Sequence, residues 1–207
     1  MADPDVARLC WAMACESDPN DVVIVGVGTP MALAATWVAK ALRTPKIDFV
    51  AHGTVNPPIA SIGTEVSDQR NPRRQHPILS QADLLQMLQG GAFSLQFISP
   101  AQVGSDGSIN TSRLHPQQQI LGGCLAIPDT AANVRRLIAF RLRPRPGFLV
   151  DNVDFKTAGP RTVTCLLDRD FRHDMNTLQT VKLPDAPAEV HHLLDSLIDP
   201  SGALKNG

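Results

Sequence analysis

The sequence has no tyrosine, and its aromatic content is only 4%. A stacking platform for single-stranded nucleic acid is therefore not expected. Charge of one sign is also missing: 19 Lys and Arg stand against 20 Asp and Glu, a formal net charge of −1. The basic excess or stripe that holds a phosphate backbone or an anionic bilayer is absent, which argues against nucleic-acid and membrane partners. The four cysteines, Cys10, Cys15, Cys124 and Cys165, form no C-x-x-C pair, so neither a disulfide framework nor a zinc site is expected. No stretch approaches the roughly 20 apolar residues of a membrane span, and no charged start followed by an apolar run resembles a signal peptide. Reduced thiols and a cytoplasmic location are the simplest expectation.

What is present is 207 residues, 43% of them hydrophobic, enough to bury a real core. The 17 prolines and 14 glycines are dispersed as turns. No repeat and no linker is visible, so a single domain over 1–207 is expected. Residues 5–16 have the apolar spacing of a helix, with Asp3 or Asp5 as cap, and a turn follows at 17–20. Val22 to Val25 is a β-branched run suited to a parallel strand buried on both faces. It runs into Gly26-Val27-Gly28-Thr29-Pro30, whose proline fits the first turn of a helix over 31–42. Residues 47–51 predict a second strand, closed by His52-Gly53. Such a unit pairs its strands in parallel through a right-handed crossover.

Residues 54–76 are irregular and too long for a simple connector. Helical spacing returns at 82–88, before Gly90-Gly91, and at 188–197, with a turn or short helix at 127–133. Further strands are expected at 93–98, 134–142, 153–156 and 162–167. The alternation predicts an α/β fold, an open and mostly parallel sheet with helices on both faces.

In such sheets ligands bind beyond the carboxyl ends of the strands. Three segments qualify. Gly26 to Pro30 lets backbone N–H groups approach an oxygen, but it lacks the third glycine of a dinucleotide fingerprint and the Lys of a P-loop, and taken alone it reads first as a plain tight turn. His52 ends the second strand, either as a base near neutral pH or as a strand-end cap. Ala101 to Thr111 contains the Asp106-Gly107 turn and returns Asn110 and Thr111 to the same end. The Gly122-Gly123 pair and Cys124 follow; both segments also read as surface turns. Arg73-Arg74 is either a phosphate contact or a solvated charge pair.

In this order the segments resemble the β subunit of the class I CoA-transferases, of the glutaconate CoA-transferase type. The family's strand, Gly-x-Gly-x-Pro and helix ending in Ala-Lys before a proline match Val22 to Pro45. Its Ala-Gln-x-Asp-x-x-Gly-Asn-x-Asn-Ser/Thr stretch matches Ala101 to Thr111, and its Gly-Ser-Gly-Gly-Ala stretch falls on Ile120 to Cys124. A basic-rich strand leading to a "vDfvTs"-like segment matches Arg141 to Thr157. The resemblance covers roughly residues 5–160. It implies a NagB/RpiA/CoA-transferase-like fold, an α subunit as partner in a heterodimer or a dimer of heterodimers, and an acyl-CoA substrate. CoA enters as part of that substrate, with no other cofactor and no metal.

The departures from the family carry chemistry. The family's transferases use a glutamate two residues before the glycine that ends the second strand, as a covalent nucleophile. Here that position is Ala51, and the chain's only glutamates are Glu16, Glu65 and Glu189. The family aspartate after Ala-Gln-x is Gly104, and its asparagine after glycine is Ser108. With no carboxylate to form an anhydride, ping-pong transfer is not expected. The resemblance instead implies cofactor-free decarboxylation or hydrolysis of an acyl-CoA thioester, with backbone N–H groups stabilising an enolate. His52 is the expected catalytic residue. Gly26, Gly28, Thr29, Ala51, Gly53, Gln102, Asn110, Gly122, Gly123 and Cys124 are the expected substrate-binding set. A non-catalytic subunit that completes a cleft on its partner, or a true transferase under a shifted alignment at Ala51, are the alternatives.

Overall fold

A computed structural model describes residues 2–26, 28–51, 53–57, 77–115, 119–121 and 126–197. The Asp3 carboxylate accepts the Asp5 N–H at 2.9 Å and starts α1 (Pro4–Cys15), which has a proline in its first turn. The strand β1 (Val22–Val25), the helix α2 (Pro30–Leu42) and the strand β2 (Asp48–Ala51) follow. The short β3 (Thr54–Val55) comes next, and then α3 (Gln81–Gln89), opened by a reciprocal Ser80–Asp83 capping box. β4 (Leu95–Ile98) leads into β5 (Gln102–Gly104), β6 (Ile109–Asn110), β7 (Arg113–Leu114) and β8 (Gln119–Ile120). The chain closes with α4 (Ile127–Asn133), β9 (Arg136–Arg141), β10 (Leu149–Val150), β11 (Val163–Asp168), β12 (Phe171–Asp174), β13 (Thr180–Lys182) and α5 (Ala188–Leu197).

Among the described residues the main sheet has the order β13-β12-β11-β9-β4-β1-β2-β3. The strands from β11 to β2 pair in parallel, and both flanks are antiparallel. The fold is therefore α/β with a mostly parallel sheet, as the alternating pattern predicts. One face packs Val23, Val25, Phe49, Leu95 and Phe97 against α1, α2 and α5. The other puts Val50 with Leu88, Phe93 and Val134, beside α3 and α4. Fully burying a side chain such as Phe49, Phe97 or Leu95 contributes about 1.5–3 kcal/mol. A third cluster, including Val103, Ile109 and Phe148, joins the main sheet to a small sheet of β10, β5 and β6. Among the described residues no helix is long and apolar enough to cross a membrane.

The structure differs from the sequence reading in places. Residues 153–156 form no strand; the ladder lies earlier, where Leu149–Val150 pairs with Val103–Gly104. Side chains hold the later backbone instead: the Asp154 N–H donates to Gln102 Oε1 at 2.9 Å. The segment 101–111 forms a hairpin of the buried strands β5 and β6, joined by the expected Asp106-Gly107 turn, where Ser105 and Asp106 are exposed. The antiparallel pair β12 and β13 has no counterpart in the sequence reading, because its residues are polar and alternate weakly. Of the irregular stretch 54–76, Thr54–Val55 is a strand antiparallel to β2, and residues 58–76 lie outside those described.

At the amino ends of the parallel strands, Asp21 binds several elements at once. Its buried carboxylate takes Ser94 Oγ from the start of β4 and a guanidinium nitrogen of Arg136 from the start of β9. It also accepts the Asp18 N–H at 2.7 Å, while Arg136 Nη1 donates to Glu16 O at 3.0 Å. A carboxylate with no exposed surface needs such partners. Removing it takes the buried acceptor from Ser94 and leaves Arg136 with only Glu16 O and the exposed Asp18 carboxylate. Asp21→Ala is expected to lower the unfolding free energy by about 3 kcal/mol, read from urea denaturation.

Candidate functional site

The carboxyl end of β1 breaks at Gly26, and Gly28 has φ +71°, a left-handed backbone that glycine adopts without strain. Thr29 Oγ1 donates to Gly26 O, which folds the turn back before Pro30 opens α2. No side chain caps α2, and no acidic residue sits in its first turn. Its leading N–H groups and positive dipole end thus lie at the sheet edge with no side-chain cap among the described residues.

β2 ends level with β1, Ala51 standing opposite Val25. Ala51 is buried in the main core. Gly53 follows with φ +79° and its carbonyl accepts the Leu79 N–H at 2.8 Å. Gly26, Gly28, Thr29, Ala51 and Gly53 therefore share one edge, beyond paired strand ends. His52, Gly122, Gly123 and Cys124 lie outside the described residues, as does Arg73-Arg74.

Gln96 was not singled out by sequence reasoning. It sits on β4, the neighbour of β1, where all four residues are buried. Its Oε1 has no hydrogen-bond partner among the described residues. Its Nε2 lies 3.5 Å from where a side-chain carbon on Gly26 would stand. A polar residue inside the run Phe93 to Ile98 was the available signal. A buried amide oxygen without a donor is costly, and it lies below the glycine turn.

Gln102 and Asn110 form a second group on the small sheet. Asn110 Nδ2 donates to Gln102 Oε1 at 2.8 Å and also to Arg113 O. Asn110 Oδ1 accepts the N–H groups of Ser112 at 3.0 Å and Arg113 at 3.1 Å. Both side chains are buried. Their hydrogen-bond partners are groups of the protein itself, so they brace the hairpin end. The Gly104 departure has a steric reason: a side-chain carbon there would come within 2.5 Å of Ser108 Oγ and 2.7 Å of Asp106 Oδ1. Asp106 Oδ1 in turn accepts the Ser108 N–H at 2.9 Å. Aspartate at 104 and this Asp106–Ser108 arrangement exclude one another.

Neither β1 nor β2 offers a carboxylate at its carboxyl end. Glu16 is held by Arg172 at 2.6 Å beside the end of α1, Glu189 is in the first turn of α5, and Glu65 lies outside the described residues. Among the described residues no cluster of three or more His, Cys, Asp or Glu could hold a metal ion. Burial pushes the Cys10 and Cys165 thiols up to about 12. Cys15 is half-buried and raised by the same cause, partly offset by Arg43.

Two outcomes follow from these contacts. Asn110→Ala strips acceptors and donors from a buried turn and is expected to cost about 2–3 kcal/mol in chemical denaturation. A raised thiol stays protonated until the pH nears its pKa, and at pH 8 a thiol with a pKa of about 12 is thiolate in only about one molecule in 10⁴. Iodoacetamide at pH 8 should therefore leave Cys10 and Cys165 unlabelled in the folded protein, both reacting once it is unfolded, as peptide mass spectrometry would read.

No family model and no curated protein matches the chain. Solved structures do. The decarboxylase AibA/AibB is similar with a TM-score of 0.72 and 22% identity, over 82% of this chain and 74% of that one. Glutaconate coenzyme A-transferase from Acidaminococcus fermentans is similar with a TM-score of 0.75 and 16% identity, over 97% and 96% of the two chains. IpdAB from Rhodococcus jostii RHA1 reaches a TM-score of 0.68 at 11% identity, over 91% of this chain and 80% of its own. The chain has the fold that these three proteins share.

Proposed function

We propose that this chain is one subunit of a heteromeric acyl-CoA enzyme, paired with an α-type chain, and that it handles its thioester by decarboxylation or hydrolysis without passing the acyl group to its own side chains. The observation that carries this reading is Ala51. Where the resembled transferases place a glutamate, the strand end holds a buried methyl group level with Val25. A methyl group forms neither an anhydride nor a thioester, so covalent transfer has no nucleophile here. Similarity to the AibA/AibB decarboxylase supports the reading, because one solved relative in fold does carry out decarboxylation.

The chemistry needs only an electron sink. In decarboxylation the C–CO2 bond breaks, CO2 leaves, and the electron pair passes into the thioester carbonyl as an enolate or its vinylogue; a proton then adds to carbon. In hydrolytic opening of a cyclic β-diketone ester, water adds to one ring ketone. The C–C bond to the carbon between the two ketones then breaks, the acid forms, and the pair rests on the enolate of the other ketone until the proton given up by the water adds to carbon. Both routes place negative charge on one oxygen. Backbone donors at the uncapped start of α2, beyond Gly26 and Gly28, are suited to stabilise it. His52 follows Ala51 in the chain and is of the residue type that returns a proton near neutral pH.

The test uses the chain co-purified with its α-type partner. Incubated with an acyl-CoA and an isotopically labelled free acid, the assembly should show no label in the CoA ester and no CoA-linked side chain by mass spectrometry, while CO2 or the ring-opened acid accumulates. Exchange of CoA between the two acids, or a trapped CoA adduct on this chain, overturns the reading. His52→Ala should reduce kcat by about 10²-fold or more, with assembly unchanged by size-exclusion chromatography; unchanged turnover removes His52 from the mechanism.

A further inference from the structure

A cleft of about 600 Å³ opens between Met31, Ser99 and the segment from Phe140 to Pro146. Met31 is the second residue of α2, Ser99 follows β4, and Phe140 and Arg141 end β9. The cleft thus lies on the carboxyl edge of the main sheet, at the place where the strand order turns back between β1 and β4. Three guanidiniums, those of Arg141, Arg143 and Arg145, line it, and among the described residues no carboxylate does.

Arg141 is fixed from two sides. Its Nη1 donates to Ser99 Oγ at 3.2 Å and to Pro100 O at 3.4 Å, and its guanidinium lies 5.6 Å from the centre of the Phe148 ring. Arg143 reaches only Asp3, at 3.7 Å, with three quarters of its side chain exposed. Arg145 is exposed and has no side-chain partner among the described residues. Burial first, and then the nearby Arg145 charge, lower the Arg141 pKa. The three arginines lie within one short stretch, Arg-Leu-Arg-Pro-Arg, which bends at Leu142 and Arg143 after the end of β9 and turns at Pro146-Gly147. Two prolines also limit the entropy lost when these arginines engage a ligand.

We propose that this cleft binds a phosphate ester or diphosphate, which, on the function proposed above, is the diphosphate of coenzyme A. Three forked cations suit a group with several anionic oxygens better than a single carboxylate, which one guanidinium satisfies. The open, solvated setting suits the non-reacting end of a long ligand. Through Met31 the cleft adjoins the start of α2, where the thioester is placed.

The test compares the wild-type assembly with an Arg143→Ala/Arg145→Ala double variant, whose replaced side chains are exposed. Affinities for coenzyme A, inorganic pyrophosphate and an acyl-pantetheine ester are measured by calorimetry at two salt concentrations. The double variant should bind coenzyme A and pyrophosphate at least about tenfold more weakly, with a shallower salt dependence, and acyl-pantetheine equally well. If coenzyme A binds wild type and variant alike, the cleft assignment is wrong while the acyl-CoA function stands. If pyrophosphate binds through the arginines but coenzyme A and its esters do not bind, the phosphate cleft stands and the acyl-CoA function falls. If the wild type binds none of the three, both are overturned.

Discussion

The buried carboxylate of Asp21 is the constraint on which the sheet's geometry depends. It joins the start of β4 through Ser94, the start of β9 through Arg136 and the end of α1 through the contact of Arg136 with Glu16 O. The Asp21 carbonyl also accepts the N–H of Asp48, the first residue of β2, at 3.1 Å. One residue thereby sets the stagger of β1, β2, β4 and β9 at their amino ends. Because these strands run in parallel, their carboxyl ends are fixed by the same tie. The turn at Gly26, the close of β2 at Ala51 and the arginine wall after β9 take their positions from it. A network of ionic and hydroxyl groups at one end of the sheet leaves the other end free for chemistry.

That division of labour also separates the two sheets. Gln102 and Asn110 spend their amides on Arg113, Ser112 and Asp154, so the small sheet is self-bracing. Arg141 is a polar link to the main sheet beside the shared apolar cluster. Its ring contact is with Phe148, whose carbonyl accepts the Val103 N–H at 2.7 Å, and its Nη1 holds the Ser99–Pro100 junction. The residues that resemble a family motif thus divide into edge groups facing a cleft and internal groups that keep the edge in place.

Much of the fold was legible because local and global signals agree. The run Val22 to Val25 is β-branched, residues 188–197 are amphipathic, and both elements have the expected ends; the first helix, capped by Asp3 with a proline behind it, is shifted by one residue to Pro4–Cys15. Where the signals part, the sequence misleads. Val153 and Phe155 alternate like a strand, but the ladder is decided by a distant partner, Val103, and falls on Leu149. The strand β12 reads Phe-Arg-His-Asp, and His173 is satisfied by Asp168 and Thr180 rather than by a core. Site residues divide in the same way. The glycine turn at 26–28 and the missing carboxylate at 51 are visible in the letters. The unpartnered oxygen of Gln96 and the meeting of Met31, Ser99 and Arg141 exist only once strands far apart in sequence lie side by side.

The margin of the main sheet at β13 has its own bearing on how the molecule coexists with its copies. Thr180, Val181 and Lys182 are all exposed, and the outer side of this three-residue strand pairs with no further strand among the described residues. An open margin of this kind is a template on which a neighbouring chain can polymerise. Its brevity offers few rungs, and Lys182 places an ammonium where an incoming copy would bring the same charge. A proline, Pro184, follows two residues later and withholds a donor from any extension of the ladder. The protein thereby keeps a growing β-filament from starting at the margin farthest from its cleft.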